Sequence, residues 1–267
     1  MKSYFEFSPF EKAGASVIST DHMRQINLPI VSAGAPPASY AEAQGPAQGP
    51  TGSQPFGMSG FTFGANKKSR QVIADWESLM STEVPLQPMI VDELLTSMAN
   101  VLTSDATTAL YNALNAASST LQIGGSEDDT YTRVTDLRHA LVEGLEGPNC
   151  FFMLSRNTLA KIRNTRANSS GVVMFDPDED LILGRPYVVN EYFETVCGAN
   201  FLAYGNWNKG AWLRRTPILT RVLQELYALN NEVGFLATSW ADNHFLAELV
   251  SVPQPPTHQP IYYSVLS

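Results

Sequence analysis

Apolar positions change rhythm along the chain, and each change predicts a different kind of element. The clearest rhythm is helical. Ile90, Leu94, Met98, Val101, Leu102, Leu110, Ala113 and Leu114 recur at three- and four-residue steps and their multiples, and Pro85 and Pro88 suit a helix entrance. The spacing predicts one helix over 88–116. At about 1.5 Å per residue it would span on the order of 40 Å, well beyond the average helix of about 11 to 12 residues. Its other face, Ser97, Thr103, Ser104, Thr107, Thr108 and Asn112, is small and polar with few charges, so it is expected to lean on something other than water. A shorter helix is expected within 132–145, where Val134, Leu137, Leu141 and Val142 share one side.

Further on the rhythm shortens. The apolar run from Cys150 to Leu154 has strand length, and Ser155 behind it can cap a helix over 156–164. Gly184 marks a turn before a strand through Tyr187, Val188 and Val189. Segments 200–205, 210–215, 217–224, 232–241 and 245–252 are rich in β-branched and aromatic residues and are separated by Asn, Gly and Asp. Helices and strands mix without strict β-α-β repetition, so the fold class is α+β.

The amino-terminal quarter keeps no period. Residues 1–34 are interrupted by Pro29 and Gly34 and read as an extended arm. Across 35–69, Pro36, Pro37, Pro46, Pro50 and Pro55 alternate with glycines, which excludes a helix. The distal stretch puts Phe61 and Phe63 two apart, on one face of a strand, so a long two-stranded excursion is expected. An isolated hairpin is marginal in water, and one carrying Phe56, Phe61 and Phe63 would expose apolar surface unless a neighbouring subunit covered it. Residues 71–84 read as a short strand or turn, and 253–267 as an extended, proline-rich tail.

Composition narrows the function. With 44% apolar residues the chain can fill a core, yet its 16% charged residues fall below the roughly 25% usual for soluble domains. Something other than charge must cover much of the surface. A net charge of −9 and a pI near 4.9 argue against a protein whose main task is gripping phosphates. Cys150 and Cys197 are too few for a disulfide framework and are expected to pack, reduced, as small apolar residues. No run of 18 apolar residues occurs, and the amino terminus lacks the apolar region of a signal peptide, so neither membrane spanning nor secretion is expected.

Candidate chemistry is sparse. His22, His139, His244 and His258 form no metal-binding pair. Ser59 sits in a Gly-x-Ser-x pattern that lacks the closing glycine of a nucleophile elbow. Cys150 with His139 or His244 would make the thiol and base of a hydrolase, but a buried structural cysteine is the preferred reading. The acidic turn of Asp176, Asp178, Glu179 and Asp180 begins like a calcium loop, yet Leu181 and Tyr187 stand where glycine and glutamate are needed. Three basic sets, Lys67, Lys68 and Arg70, then Lys161, Arg163 and Arg166, then Arg214 and Arg215, read as solvated faces or inter-subunit ion pairs. No catalytic, cofactor or metal site is expected.

Arm, Gly/Pro hairpin, long helix and terminal strands, in this order, resemble the major capsid protein of tailed bacteriophages, with its Hong Kong 97 type fold. The specific stretch is 150–252: CFFMLSRNTLAKIR resembles the family's strand and helix, and LILGRPYVVNEYF its Leu-Leu-Gly-x-Pro-Val-x-Val segment. FLAYGNWNKGAWLRR resembles the family's Phe-Gly-Asp stretch leading to an aromatic and an arginine, with Asn206 where the acid often stands. RVLQELYALNNEVGFLATSWADNHF resembles its strand, loop and strand, though the expected turn at Trp240-Ala241-Asp242-Asn243 lacks the usual arginine.

The resemblance implies a domain plan. Residues 1–34 would be the N-terminal arm, 35–68 the extended loop, and 69–134 with 214–242 a peripheral domain around a spine helix at about 88–116. An axial domain would take 135–213 and 243–252, leaving 253–267 as the C-terminal tail. It also implies a structural protein, not an enzyme, without cofactor or membrane contact. Hexamers and pentamers of such chains would close an icosahedral shell in the virion, assembled in the host cytoplasm. That shell would enclose double-stranded DNA without sequence-specific binding and engage scaffold, portal and decoration proteins. Phe56, Phe61, Phe63, Lys67 and Lys68 would make loop contacts between subunits. Some members crosslink a loop lysine to a neighbour's asparagine, which points to Lys67 or Lys68 with Asn230 or Asn231. The same fold builds bacterial encapsulin compartments, the alternative reading, and a Cys/His hydrolase is the remote one.

Overall fold

The computed structural model describes residues 8–22, 24–31, 58–81, 86–116, 129–141, 145–164, 166–167, 172–173, 175–176, 180–198, 200–245 and 261–265. In chain order they form α1 (Pro9–Lys12), β1 (Ser16–Ser19), β2 (Ile26–Val31), β3 (Met58–Phe63), β4 (Asn66–Asp75), α2 (Trp76–Ser81), α3 (Leu86–Ala116) and α4 (Asp129–Ala140). There follow β5 (Cys150–Leu154), α5 (Arg156–Asn164), and the short strands β6 (Arg166–Ala167), β7 (Val172–Val173), β8 (Phe175–Asp176) and β9 (Leu181–Ile182). The chain continues through β10 (Tyr187–Val189), α6 (Tyr192–Val196), β11 (Phe201–Asn206), α7 (Trp207–Gly210) and β12 (Ala211–Arg215). It ends with β13 (Leu219–Leu223), a 3₁₀ turn (Glu225–Asn230), β14 (Glu232–Phe245) and β15 (Ile261–Val265).

The first sheet is organised by β14. Along one edge β4 pairs with it antiparallel from Asn66 opposite Ala241 to Asp75 opposite Glu232. On the other edge β12 and then β13 run antiparallel to it, and β1 adds in parallel to β12. Arg215 faces Ala241 and Leu219 faces Thr238, so Thr216, Pro217 and Ile218 oppose only Ser239 and Trp240, which makes a β-bulge. Pro217 has no N–H for a ladder. Thr216 takes over locally: its N–H donates to the Trp240 carbonyl (3.0 Å), its Oγ1 accepts the Trp240 N–H (2.9 Å), and its carbonyl accepts from Ser239 Oγ (3.1 Å).

The second sheet has the order β10-β5-β11-β15, with β10 parallel and β11 antiparallel to β5. The two sheets are joined directly by α7. Asn206 caps it by accepting the Lys209 N–H (3.3 Å), and the buried Trp207 donates from Nε1 to the Phe151 carbonyl (2.9 Å). One face of β5 and β11 packs with α4 and α5 through Val134, Leu137, Ile162, Phe152 and Tyr204. Their other face meets the C-terminal half of α3 through Leu110, Leu114, Met153, Phe201 and Phe245. The N-terminal half of α3 instead covers β14, with Leu94 and Met98 against Val233, Phe235 and Ala237.

The expected long helix is present from Leu86, two residues earlier than the pattern suggested, because Pro88 sits in the first turn where its missing N–H costs nothing. One expectation about its faces changes: Val101 is exposed. Ser97, Thr103 and Thr107 from the polar face are buried, in keeping with a face that leans on something other than water. Thr103 and Thr107 donate to the carbonyls of Ala99 and Thr103, both at 2.9 Å, while Ser97 accepts from Arg70 and Thr107 from Asn190 Nδ2 (3.0 Å). That part of the face leans on this chain itself, while Thr108 and Asn112 are exposed. Ser155 also caps α5 as expected, its Oγ accepting the Thr158 N–H at 3.2 Å.

Candidate functional site

The two-stranded excursion exists as β2 paired with β3, from Ile26 opposite Phe63 to Val31 opposite Met58. It begins inside the stretch read as arm, and Asn66, Lys67 and Lys68 belong to β4 rather than to a loop, because the β14 ladder captures them. Among the described residues neither β2 nor β3 pairs with another sheet, so the hairpin is held at its base.

That base is built around Arg214. Its side chain is 2% exposed and all five of its N–H groups find acceptors. Nε donates to Thr20 Oγ1 (3.2 Å). One terminal nitrogen donates to the carbonyls of Phe63 (3.2 Å) and Gly64 (2.6 Å), the other to those of His22 (2.9 Å) and Arg24 (2.6 Å). Across the ladder, Asp242 Oδ2 accepts the Gly64 N–H (2.6 Å) and contacts His244 Nε2 (3.2 Å). Burial alone would raise the Asp242 carboxyl, but hydrogen bonds from His244 and Gly64 outweigh it and hold it below its ordinary value. Phe63 is fully buried and meets the His244 ring edge-on, centroids 4.8 Å apart.

These positions correct several expectations. Phe63 does not wait for a neighbour, because His244 already covers its ring; Phe56 and the Phe61 side chain lie outside the described residues. Lys68 is paired with Asp105 of α3 at 2.5 Å, whereas Lys67 is exposed. Within one subunit Asn230 and Asn231 lie at the far end of the β4–β14 ladder from both lysines, a separation that does not bear on a bond between neighbouring subunits. Arg214 and Arg215 are not a solvated face: Arg215, 4% exposed, pairs with Glu11 at 3.2 Å. The expected turn at Trp240 to Asn243 is the interior of β14, since Asp242 spends its carboxylate on Gly64 and His244.

The remaining chemical candidates disperse. Burial raises the Cys150 thiol, whose contacts are the Gly147 N–H and the Leu145 carbonyl, and pushes Cys197 up to about 12. Neither is a thiolate nucleophile near neutral pH. His139 contacts its own helix at the Thr135 carbonyl (2.8 Å) and His244 belongs to the hairpin base, while His258 lies outside the described residues. Asp180, at the end of the acidic turn, accepts from Tyr187 Oη (2.8 Å) and pairs with Arg163 (3.4 Å), whose guanidinium lies 4.5 Å from the Phe175 ring centroid. Among the described residues no group of three acidic, His or Cys side chains could hold a metal, and no helix is long and apolar enough to cross a membrane.

Large apolar side chains stand in water at the far end of the first sheet: Ile73, Trp76, Met80, Leu226 and, fully exposed, Leu229. The sequence of residues 12–246 matches the phage capsid family. The chain belongs to that family. Its fold is the Hong Kong 97 type that the element order suggested, and the protein is a phage capsid shell protein. The phage capsid chain superposes on a structure from Mycobacterium phage Adephagia with a TM-score of 0.71 at 12% identity, covering 97% of this chain and 91% of that one. A structure from Mycobacterium phage Bobi gives 0.69 at 13% identity, over 97% and 90%. The capsid of an empty GTA particle, computed with C5 symmetry, gives 0.68 at 13%, over 100% and 91%. No curated protein matches the capsid chain. Arg214 and Asp242 are the site residues that sequence reasoning missed. Strand alternation gave no signal, since Arg214 shares a face with half-buried Trp212, opposite the core residues Ala211 and Leu213.

Proposed function

We propose that this chain is the major head protein of a tailed bacteriophage, forming pentamers and hexamers of an icosahedral shell that encloses double-stranded DNA. The observation that carries this reading is the family match over 12–246 together with a body of two sheets from which a β2–β3 hairpin projects unpaired to either. A hairpin of this kind gains stability only by lying on something, and in a shell of one chain that something is the adjacent subunit. We assign the β14 sheet with α3 to a peripheral domain and the β5 sheet with α4 and α5 to an axial domain.

The chain acts in the virion by assembling, not by catalysis, and is built in the host cytoplasm with scaffold, portal and decoration proteins as partners. Its acidic balance suits a container wall, since tight phosphate binding would oppose packaging and release of DNA. Negative-stain microscopy of the purified protein and of its source particle tests the reading: rings or closed shells are expected. A lone 29.2 kDa monomer under all assembly conditions would reject it. An encapsulin compartment has the same fold, and shells that contain enzyme instead of DNA would favour it.

A further inference from the structure

We propose that Arg214, seconded by Asp242, is a positioning residue that sets the angle at which the β2–β3 hairpin leaves the subunit. This rests on the reading of the hairpin as an inter-subunit clasp and goes beyond it by naming what aims the clasp. A guanidinium is planar and its five N–H groups point in fixed directions. Here the acceptors come from both legs of one hairpin: Thr20, His22 and Arg24 lead into β2, and Phe63 and Gly64 end β3. One rigid plane, carried by β12 in the body, therefore dictates where both legs start.

Asp242 supplies a second constraint. Gly64 is gripped through its N–H by the carboxylate and through its carbonyl by the guanidinium, so its position is specified from both sides. The joint has little slack, because a Cβ added at Gly64 would stand 3.3 Å from Asp242 Oδ2. Above the joint, the six residues of β3 make a lever about 20 Å long at roughly 3.3 Å per residue. A looseness of about 10° at the base would move its far end by about 3.5 Å, comparable to a whole van der Waals contact. The three apolar clusters, one on each face of the β5 sheet and one between α3 and β14, contain neither Arg214 nor its acceptors. The cluster thus acts on the hairpin's direction.

Arg214→Lys keeps the charge but loses the fork, and Thr20→Val removes a single acceptor as a milder variant. Hydrogen exchange of unassembled subunits should show amides of 26–31 and 58–64 exchanging faster, on the order of tenfold in Arg214→Lys, with β5 and β11 unchanged. The same subunits should then give shells of scattered size and reduced yield. Unchanged exchange in the hairpin, or an equal rise in β5 and β11 in both variants, overturns the proposal. So does normal assembly by a locally loosened Arg214→Lys subunit when deletion of residues 34–55 abolishes shells. Normal shells from that deletion variant would overturn the clasp reading instead, while the exchange pattern still reports on the joint.

Discussion

Replacing Phe63 with alanine should weaken the subunit before any assembly takes place. The ring is fully buried, and its edge-on contact with His244 has centroids 4.8 Å apart and planes at 88°. Truncating a buried phenylalanine to alanine costs about 3–5 kcal/mol, of which about 0.5–1.5 reflects the aromatic contact. For a chain of this length each kcal/mol lowers the melting temperature by roughly 2–4 °C, so a fall on the order of 10 °C is expected. Leu229→Ser is the matched control: its side chain is fully exposed, and the melting point should move by no more than about 2 °C. Circular dichroism melting of unassembled subunits reads both. If Phe63→Ala melted within about 2 °C of the parent, the ring would not belong to the subunit's own core, and burial by a neighbour would be the correct account.

Acid stability should depend on Asp242. Because its folded carboxyl lies below the ordinary value, its contribution is complete above about pH 4 and is lost as pH falls through the folded value. Asp242→Asn should flatten that acid limb in urea titrations, and an unaltered limb would contradict the assignment. Thr216→Val leaves the Trp240 N–H without its acceptor at the bulge and should cost about 1–3 kcal/mol by denaturant melting; a neutral result would mean that water replaces the hydroxyl. If shells are covalently linked, Lys67 is the donor, since Lys68 is occupied by Asp105. Shells should then run above 29.2 kDa on denaturing gels and collapse to that size in Lys67→Arg, whereas unlinked parent shells reject the bond.

Local physics made much of the fold readable. A sustained four-residue step announced α3, an apolar run with a serine behind it announced β5 and α5, and element order announced the family. What stayed hidden depends on partners distant in sequence. Asp242 and Asn243 look like turn residues, and Gly64, 178 positions away, joins His244 in making Asp242 acceptable inside a strand. Arg214 looks like a surface cation until carbonyls 150 to 192 positions distant and the Thr20 hydroxyl, 194 away, surround it. Phe63 follows the same rule: its strand is visible, but the histidine that covers it lies 181 residues on. Side-chain partners of this range leave no local periodicity.

The pairing of α3 with β14 carries a consequence for how such a chain can change length. The helix has 31 residues and the strand 14, yet at about 1.5 and 3.3 Å per residue both measure about 46 Å. They run in the same direction, with Leu94 and Met98 near Val233 and Phe235, and Leu110 and Leu114 near Phe245. The two are rulers with different graduations, read against each other. An insertion in one alone slides every later contact out of step, and a single residue also turns the helix by about 100° or flips the strand's faces. Growth that restores both faces and both lengths is coarse: about eight strand residues against about eighteen helical ones, near 27 Å. Insertions are therefore expected to accumulate in the connections, while the span from the Leu229 end of the first sheet to the second sheet's core stays constant among descendants.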